Sequence, residues 1–223
     1  MCFSASASFG AGIVLVAIGA ASIKKKQNSS HVMFAAIPLI FGIQQISEGF
    51  LWLSLTHSGW NFLQRPMTYV FLFFAQIVWP FWVPYSILKL EKDKKRKKIE
   101  RVLTILGATI SVYLAYCLIS YHVEAKILGL HITYLQNYPT SLSLFGGALY
   151  MIVTIIPPFF SGIKHMWSLG TAILISYVMT AIFYEGYIVS VWCFFASVIS
   201  IAVVVIMHEI KKSYVRSLSF QSL

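Results

Sequence analysis

Glu48 is the residue best placed to do chemistry. It is the one acidic side chain well inside a long apolar run, and a carboxyl group in hydrocarbon must be protonated, paired or bound to a cation. Gln44 and Gln45 precede it by four and three residues, so on a helix the two amides and the carboxyl occupy adjoining parts of one face, with Trp52 a turn further on. The only basic residues expected on that side of a membrane, Arg65 and Lys126, fall in loops. Glu48 is therefore expected to be neutral at rest or to hold a cation, with the two glutamines sharing its hydrogen bonds.

A second polar stripe comes from Ser190, Cys193, Ser197 and Ser200, spaced by three, four and three. Small polar residues on one helix face commonly serve close packing. Counted from the helix ends, Glu48, Cys193, Gln76 and Cys117 lie at a similar depth, within about three turns of one surface at 5.4 Å per turn. The reading is an outward-opening pocket lined by Gln44, Gln45, Glu48, Gln76 and Cys193, suited to a small ligand or cation. Cys2 would start at the same level. With the initiator methionine removed, its amine and thiol could chelate, so Cys2, Glu48 and Cys193 form a candidate transition-metal set. Cys2 could instead pair with Cys193 or Cys117 as a disulfide, or all three thiols could stay free. Of the six histidines, only His122 could reach this pocket; His31, His165 and His208 suit interfacial positions. No zinc motif, Gly-rich phosphate loop or nucleophile elbow occurs, so no catalytic motif establishes an enzyme.

The elements that must position these residues are membrane spans. The chain is 58% hydrophobic and 11% charged, far more apolar than a soluble domain. Seven runs reach the length needed to cross hydrocarbon: about 4–22, 31–53, 67–88, 102–120, 141–160, 166–184 and 187–207. No sustained period-two alternation supports a barrel, so the expected fold is all-α, a seven-transmembrane-helix bundle forming one integral membrane domain over 1–223. Proline at positions 80, 84, 157 and 158 is expected to kink the third and fifth spans.

Charge sets the orientation. Lys24 to Lys26, the group from Lys89 to Arg101, Lys164, Lys211, Lys212 and Arg216 fall on one side, 15 of the 17 basic residues. Basic loops stay cytoplasmic, so the N-terminus is expected outside and the C-terminus inside. The net charge of +10 is thus read as topology, and nucleic acid is not an expected partner. The first apolar run has its lysines after it rather than before, the reverse of a signal peptide, and is expected to remain as the first helix. The stretch 121–140, with His122, Glu124, His131, Tyr134 and Tyr138, is expected to lie on the membrane surface or to lid the bundle.

Four blocks carry a resemblance: Met1-Cys2-Phe3-Ser4-Ala5, Gly42-Ile43-Gln44-Gln45-Ile46-Ser47-Glu48-Gly49, Trp79-Pro80-Phe81-Trp82-Val83-Pro84 and Ser190-Val191-Trp192-Cys193-Phe194-Phe195-Ala196. The chain resembles an uncharacterised bacterial family of multi-pass membrane proteins that opens Met-Cys-Phe-Ser-Ala, a domain of unknown function. The resemblance implies a bacterial inner-membrane protein and singles out Cys2, Gln44, Gln45, Glu48 and Cys193. Three roles follow from the residues: small-ligand or cation binding or transport, a metal-dependent membrane enzyme using Cys2, Glu48 and Cys193, and a structural or sensory subunit.

Overall fold

The computed structural model describes residues 4–24, 26 and 28–221, with side chains for all of these except 140–145, 185 and 213–221. Its helices are α1 (Ala5–Lys24), α2 (Ile37–Thr56), α3 (Gln64–Leu72), α4 (Trp79–Leu90), α5 (Lys94–Ser120), α6 (Thr140–Ile155), α7 (Met166–Phe183), α8 (Ile188–Ile199) and α9 (Ala202–Gln221). Strands β1 (Val123–Leu128) and β2 (His131–Gln136) form an antiparallel hairpin between α5 and α6.

Among the described residues six helical runs are long and apolar enough to cross a membrane: Ala5–Lys24, Ser29–Thr56, Ser58–Leu90, Lys94–Ser120, Met166–Phe183 and Ile188–Lys212. A shorter apolar run, Gly146–Phe160, fills the place of the expected span at 141–160. Within it α6 stops at Ile155, and Pro157 and Pro158 start a separate turn, each lacking the N–H that would continue the helix. Large apolar side chains face outward along the bundle, among them Ile105, Val112 and Ile119 down one side of α5 and Ile175 and Ile182 on α7. So much exposed apolar surface suits a lipid environment rather than water.

Successive runs pack antiparallel. Ser8, Gly12, Gly19 and Ser22 form the buried face of α1, against α2. Ser111 of α5 donates to the Ile77 carbonyl at 2.7 Å, and Arg96 reaches the Phe160 carbonyl at 3.3 Å. At the basic end, Glu91 accepts the backbone N–H groups of Lys92, Asp93 and Gly162, tying the charged loop to the turn after Phe160. Asp93 caps α5 by accepting from Arg96 N at 2.9 Å.

Proline shapes the interior. Pro38 would meet the Phe34 carbonyl without an N–H to offer, and the chain breaks at Ala36 between a short turn, Val32–Ala35, and α2. Pro80 likewise has no N–H for the Gln76 carbonyl, and the turn just before it, Phe73–Val78, is a π-helix. Such a turn leaves carbonyls without helical partners. Here Tyr150 Oη donates to Ala75 O and Ser111 Oγ to Ile77 O.

The stretch 121–140 is an ordered cap, of the two forms expected the one that covers the bundle. Leu128 pairs with His131, closing a two-residue turn over Gly129 and Leu130. Of these two residues Gly129 alone has positive φ, 62°, which is the type II′ geometry that matches strand twist. The hairpin is seated by Tyr134 stacking on Phe71 at 4.9 Å, by Ala125 and Ile132 packing on Leu51 and Trp52, and by Gln64 donating to Ala125 O at 3.2 Å.

Candidate functional site

The polar face of α2 is wholly interior: Gln44, Gln45 and Glu48 are each 0% exposed. Trp79 of α4 stacks on Phe41 and donates its indole N–H to Gln44 Oε1 at 2.7 Å. Ser190 of α8 donates to Glu48 Oε1, so the carboxyl ties α2 to α8. Cys193, one turn along α8, sits beside the Gln44 amide and within electrostatic reach of Glu48. Both polar atoms of Gln45 find no hydrogen-bond partner. Buried amides in that state are costly, about 1–3 kcal/mol for each unsatisfied group, and mark a place where water or a ligand would be stabilised.

The serine stripe divides. Ser197 and Ser200 spend their hydroxyls on carbonyls of their own helix, at 2.6 Å each, which is a packing role. Ser190 alone reaches across to another helix with its side chain.

Gln76 does not join Glu48. It lies in the π-turn and faces the hairpin: its Nε2 donates to Gln136 Oε1 at 2.9 Å, and Tyr138 donates to its Oε1 at 3.0 Å. Burial holds the Tyr138 phenol above its ordinary range, so it stays protonated and able to donate. These groups form one wall of a cavity of about 320 Å³ bounded by the π-turn, α5, β2, α6, α7 and α8. Tyr113, Tyr150, Tyr177 and Trp192 supply aromatic walls, and Cys193 lines it at the side nearest Glu48. Tyr150 and Tyr177 each meet Trp192 edge to face, with centroids 5.9 and 5.6 Å apart.

Of the residues that the sequence pointed to, Gln76 and Cys193 line this cavity, whereas Gln44, Gln45 and Glu48 form the buried cluster behind Cys193. Cys2 lies outside the described residues. Cys117 and Cys193 are free thiols, both buried, and Cys193 packs in the cluster of Phe71, Leu72, Leu118 and Val123. His122 is exposed and lines neither this cavity nor the smaller one next to it. Among the described residues no group of three or more His, Cys, Asp or Glu is close enough to hold a metal ion.

The wall residues Tyr113, Gln136, Tyr150 and Tyr177 were not singled out from sequence. They come from four different elements, and a lone tyrosine in an apolar run reads as packing. Trp192 had a local signal, its place beside Cys193 in an unusual Trp-Cys-Phe-Phe block.

Comparison with curated proteins and with solved structures gives no match. Residues 1–217 do match one family model, so this largely helical, apolar-rich chain belongs to a family of unknown function, DUF6629.

Proposed function

We propose that the protein is a seven-span integral membrane protein of the bacterial inner membrane that binds, and in that way senses or transports, a small ligand admitted at the hairpin end. The observation that carries this reading is the cavity of about 320 Å³, which combines an amide and phenol wall with aromatic sides, the mixture typical of small-molecule sites. Among the described residues its lining holds no Asp, Glu, Lys, Arg or His, which favours an uncharged ligand over a bare cation.

Gly147 offers a direct test. It lines the cavity, and a Cβ built there meets nothing within 4 Å. Gly147→Phe should therefore place a ring in the cavity while sparing the bundle, and losing an interior helical glycine costs the helix nothing. In a thermal-shift screen of small molecules on purified protein, compounds that stabilise the wild type should leave Gly147→Phe unmoved. A ligand at a hundred times its Kd stabilises by about 2.7 kcal/mol, a readily measured shift. Stabilisers acting equally on both proteins would place binding elsewhere.

Orientation rests on the basic residues. With Lys24, Lys89, Lys164 and Lys211 at one end of the bundle and the hairpin at the other, the positive-inside bias puts the cavity mouth outside. A reporter fused after Leu223 should be active only in the cytoplasm, and one inserted near Ser58 only outside. Swapped signals would turn the cavity toward the cytoplasm.

A further inference from the structure

The large cavity does not end at its own floor. Tyr150, Trp192 and Cys193 also line a second cavity of about 60 Å³ that lies deeper in the bundle, among Phe34, Phe41, Ile87, Leu169 and Val203. The two therefore share a wall of three side chains, one chamber amide-lined and bounded by the hairpin strand β2, the other almost wholly apolar. Among the described residues no Asp, Glu, Lys, Arg or His lines either one. A charged group entering them would be stripped of water without a counterion, at a cost of at least several kcal/mol.

Hydrogen-bond accounting narrows the head further. Gln76 Oε1 and Gln136 Oε1 are both taken, by Tyr138 and by Gln76. Gln136 Nε2 and Trp192 Nε1 are buried donors with no partner, and both residues line the large cavity. These two donors call for an acceptor on the ligand.

We propose that the joined cavities bind an uncharged amphiphile, a carbonyl-bearing headgroup beside Gln136 and Trp192 with an apolar tail passing Tyr150 and Cys193 into the pocket of Phe34, Phe41 and Leu169. This rests on the ligand-binding reading above and adds the class of the ligand. Trp192 and Tyr150 stand at the junction, so their rings must shift for the tail to pass, and the edge-to-face contact between them is the element that yields. The head chemistry is shared by quinones and by the esters of acylglycerols.

The test uses the full chain in phosphatidylcholine nanodiscs and four photoreactive probes with one common tail carrying a diazirine: a benzoquinone, a monoacylglycerol, a carboxylate and a trimethylammonium. After irradiation, labelled residues are mapped by mass spectrometry. The quinone or the acylglycerol probe, or both, should label Ile87, Leu169 or Val203 of the inner pocket, at least tenfold above either charged probe. The better of the two names the source of the carbonyl. Unlabelled carbonyl-headed amphiphile should compete this away in the wild type, and Gly147→Phe should lower it at least tenfold. Labelling confined to lipid-facing Ile105, Val112 and Ile182 would overturn the inference. So would inner-pocket labelling by the charged probes as strong as by the neutral ones. In either case a tailless compound that stabilises the wild type but not Gly147→Phe would leave the ligand-binding reading standing, whereas finding none would end both.

Discussion

Glu48→Ala is expected to destabilise the protein by roughly 3 kcal/mol, the sum of a lost buried hydrogen bond between helices and an interior void. The carboxyl is 0% exposed and receives the Ser190 hydroxyl from α8, while Gln44 one turn back receives the Trp79 indole from α4. The polar face of α2 thus joins three helices through side-chain hydrogen bonds in an apolar interior, where an unpaired partner has no water to turn to. Removing the acceptor takes away the Ser190 bond between α8 and α2 and leaves unfilled space beside Cys193. Glu48→Gln keeps the shape and one acceptor oxygen, and should unfold within about 1 kcal/mol of wild type. Unfolding of the purified variants, followed by heat or by a denaturing detergent, separates the cases. If alanine and wild type unfold together, Glu48 is not a tie between helices and the cluster is not a structural centre.

Gly107→Ala should be at least as damaging, although it adds only a methyl group. A Cβ at Gly107 would lie 2.0 Å from the Pro80 carbonyl oxygen and 2.9 Å from its carbon, so the clash is with backbone and no side-chain rotation relieves it. The close approach has a cause in α4. Pro84 has no N–H to give the Pro80 carbonyl four residues back, and that carbonyl turns its unused lone pairs to the bare Cα of Gly107, a contact in which Cα–H···O attraction is available. Alanine must push α5 away from α4, and Ser111, one turn on, would then lose its hold on Ile77 O. Overpacking of this kind costs about 1–3 kcal/mol before the lost hydrogen bond is counted. The π-turn and Gln76 should move with it, so Gly107→Ala should also weaken any ligand that Gly147→Phe excludes. Wild-type unfolding and wild-type ligand affinity in Gly107→Ala would show that the α4–α5 contact tolerates separation.

Much of this architecture was legible in the residues alone, for reasons of length and period. Hydrocarbon requires about 20 apolar residues for each crossing, and the runs met in the structure, such as Lys94–Ser120 against the expected 102–120, differ chiefly where charged turns extend the helix beyond the apolar core. The helical repeat likewise placed Gln44, Gln45 and Glu48 on one buried face, because nothing between positions 44 and 48 disturbs the period. The repeat failed at Gln76. A π-turn inserts a residue and rotates everything beyond it, so a side chain there cannot be assigned a face by counting, and Gln76 faces the hairpin instead of Glu48. Nor could counting distinguish Ser190, which crosses to Glu48, from Ser197 and Ser200, which bond their own helix, since that depends on which helix α8 meets. The hairpin had a local signal, a glycine flanked by alternating apolar residues, and its role as a cap came from Leu51, Trp52 and Phe71, distant in sequence. The sequence by itself determined the long apolar helices, their charged ends and the polar face of α2, all set by neighbours within a few residues. Only the tertiary structure decided the cavity, because its walls come from six elements and none of them carries enough of the lining to reveal a binding site alone.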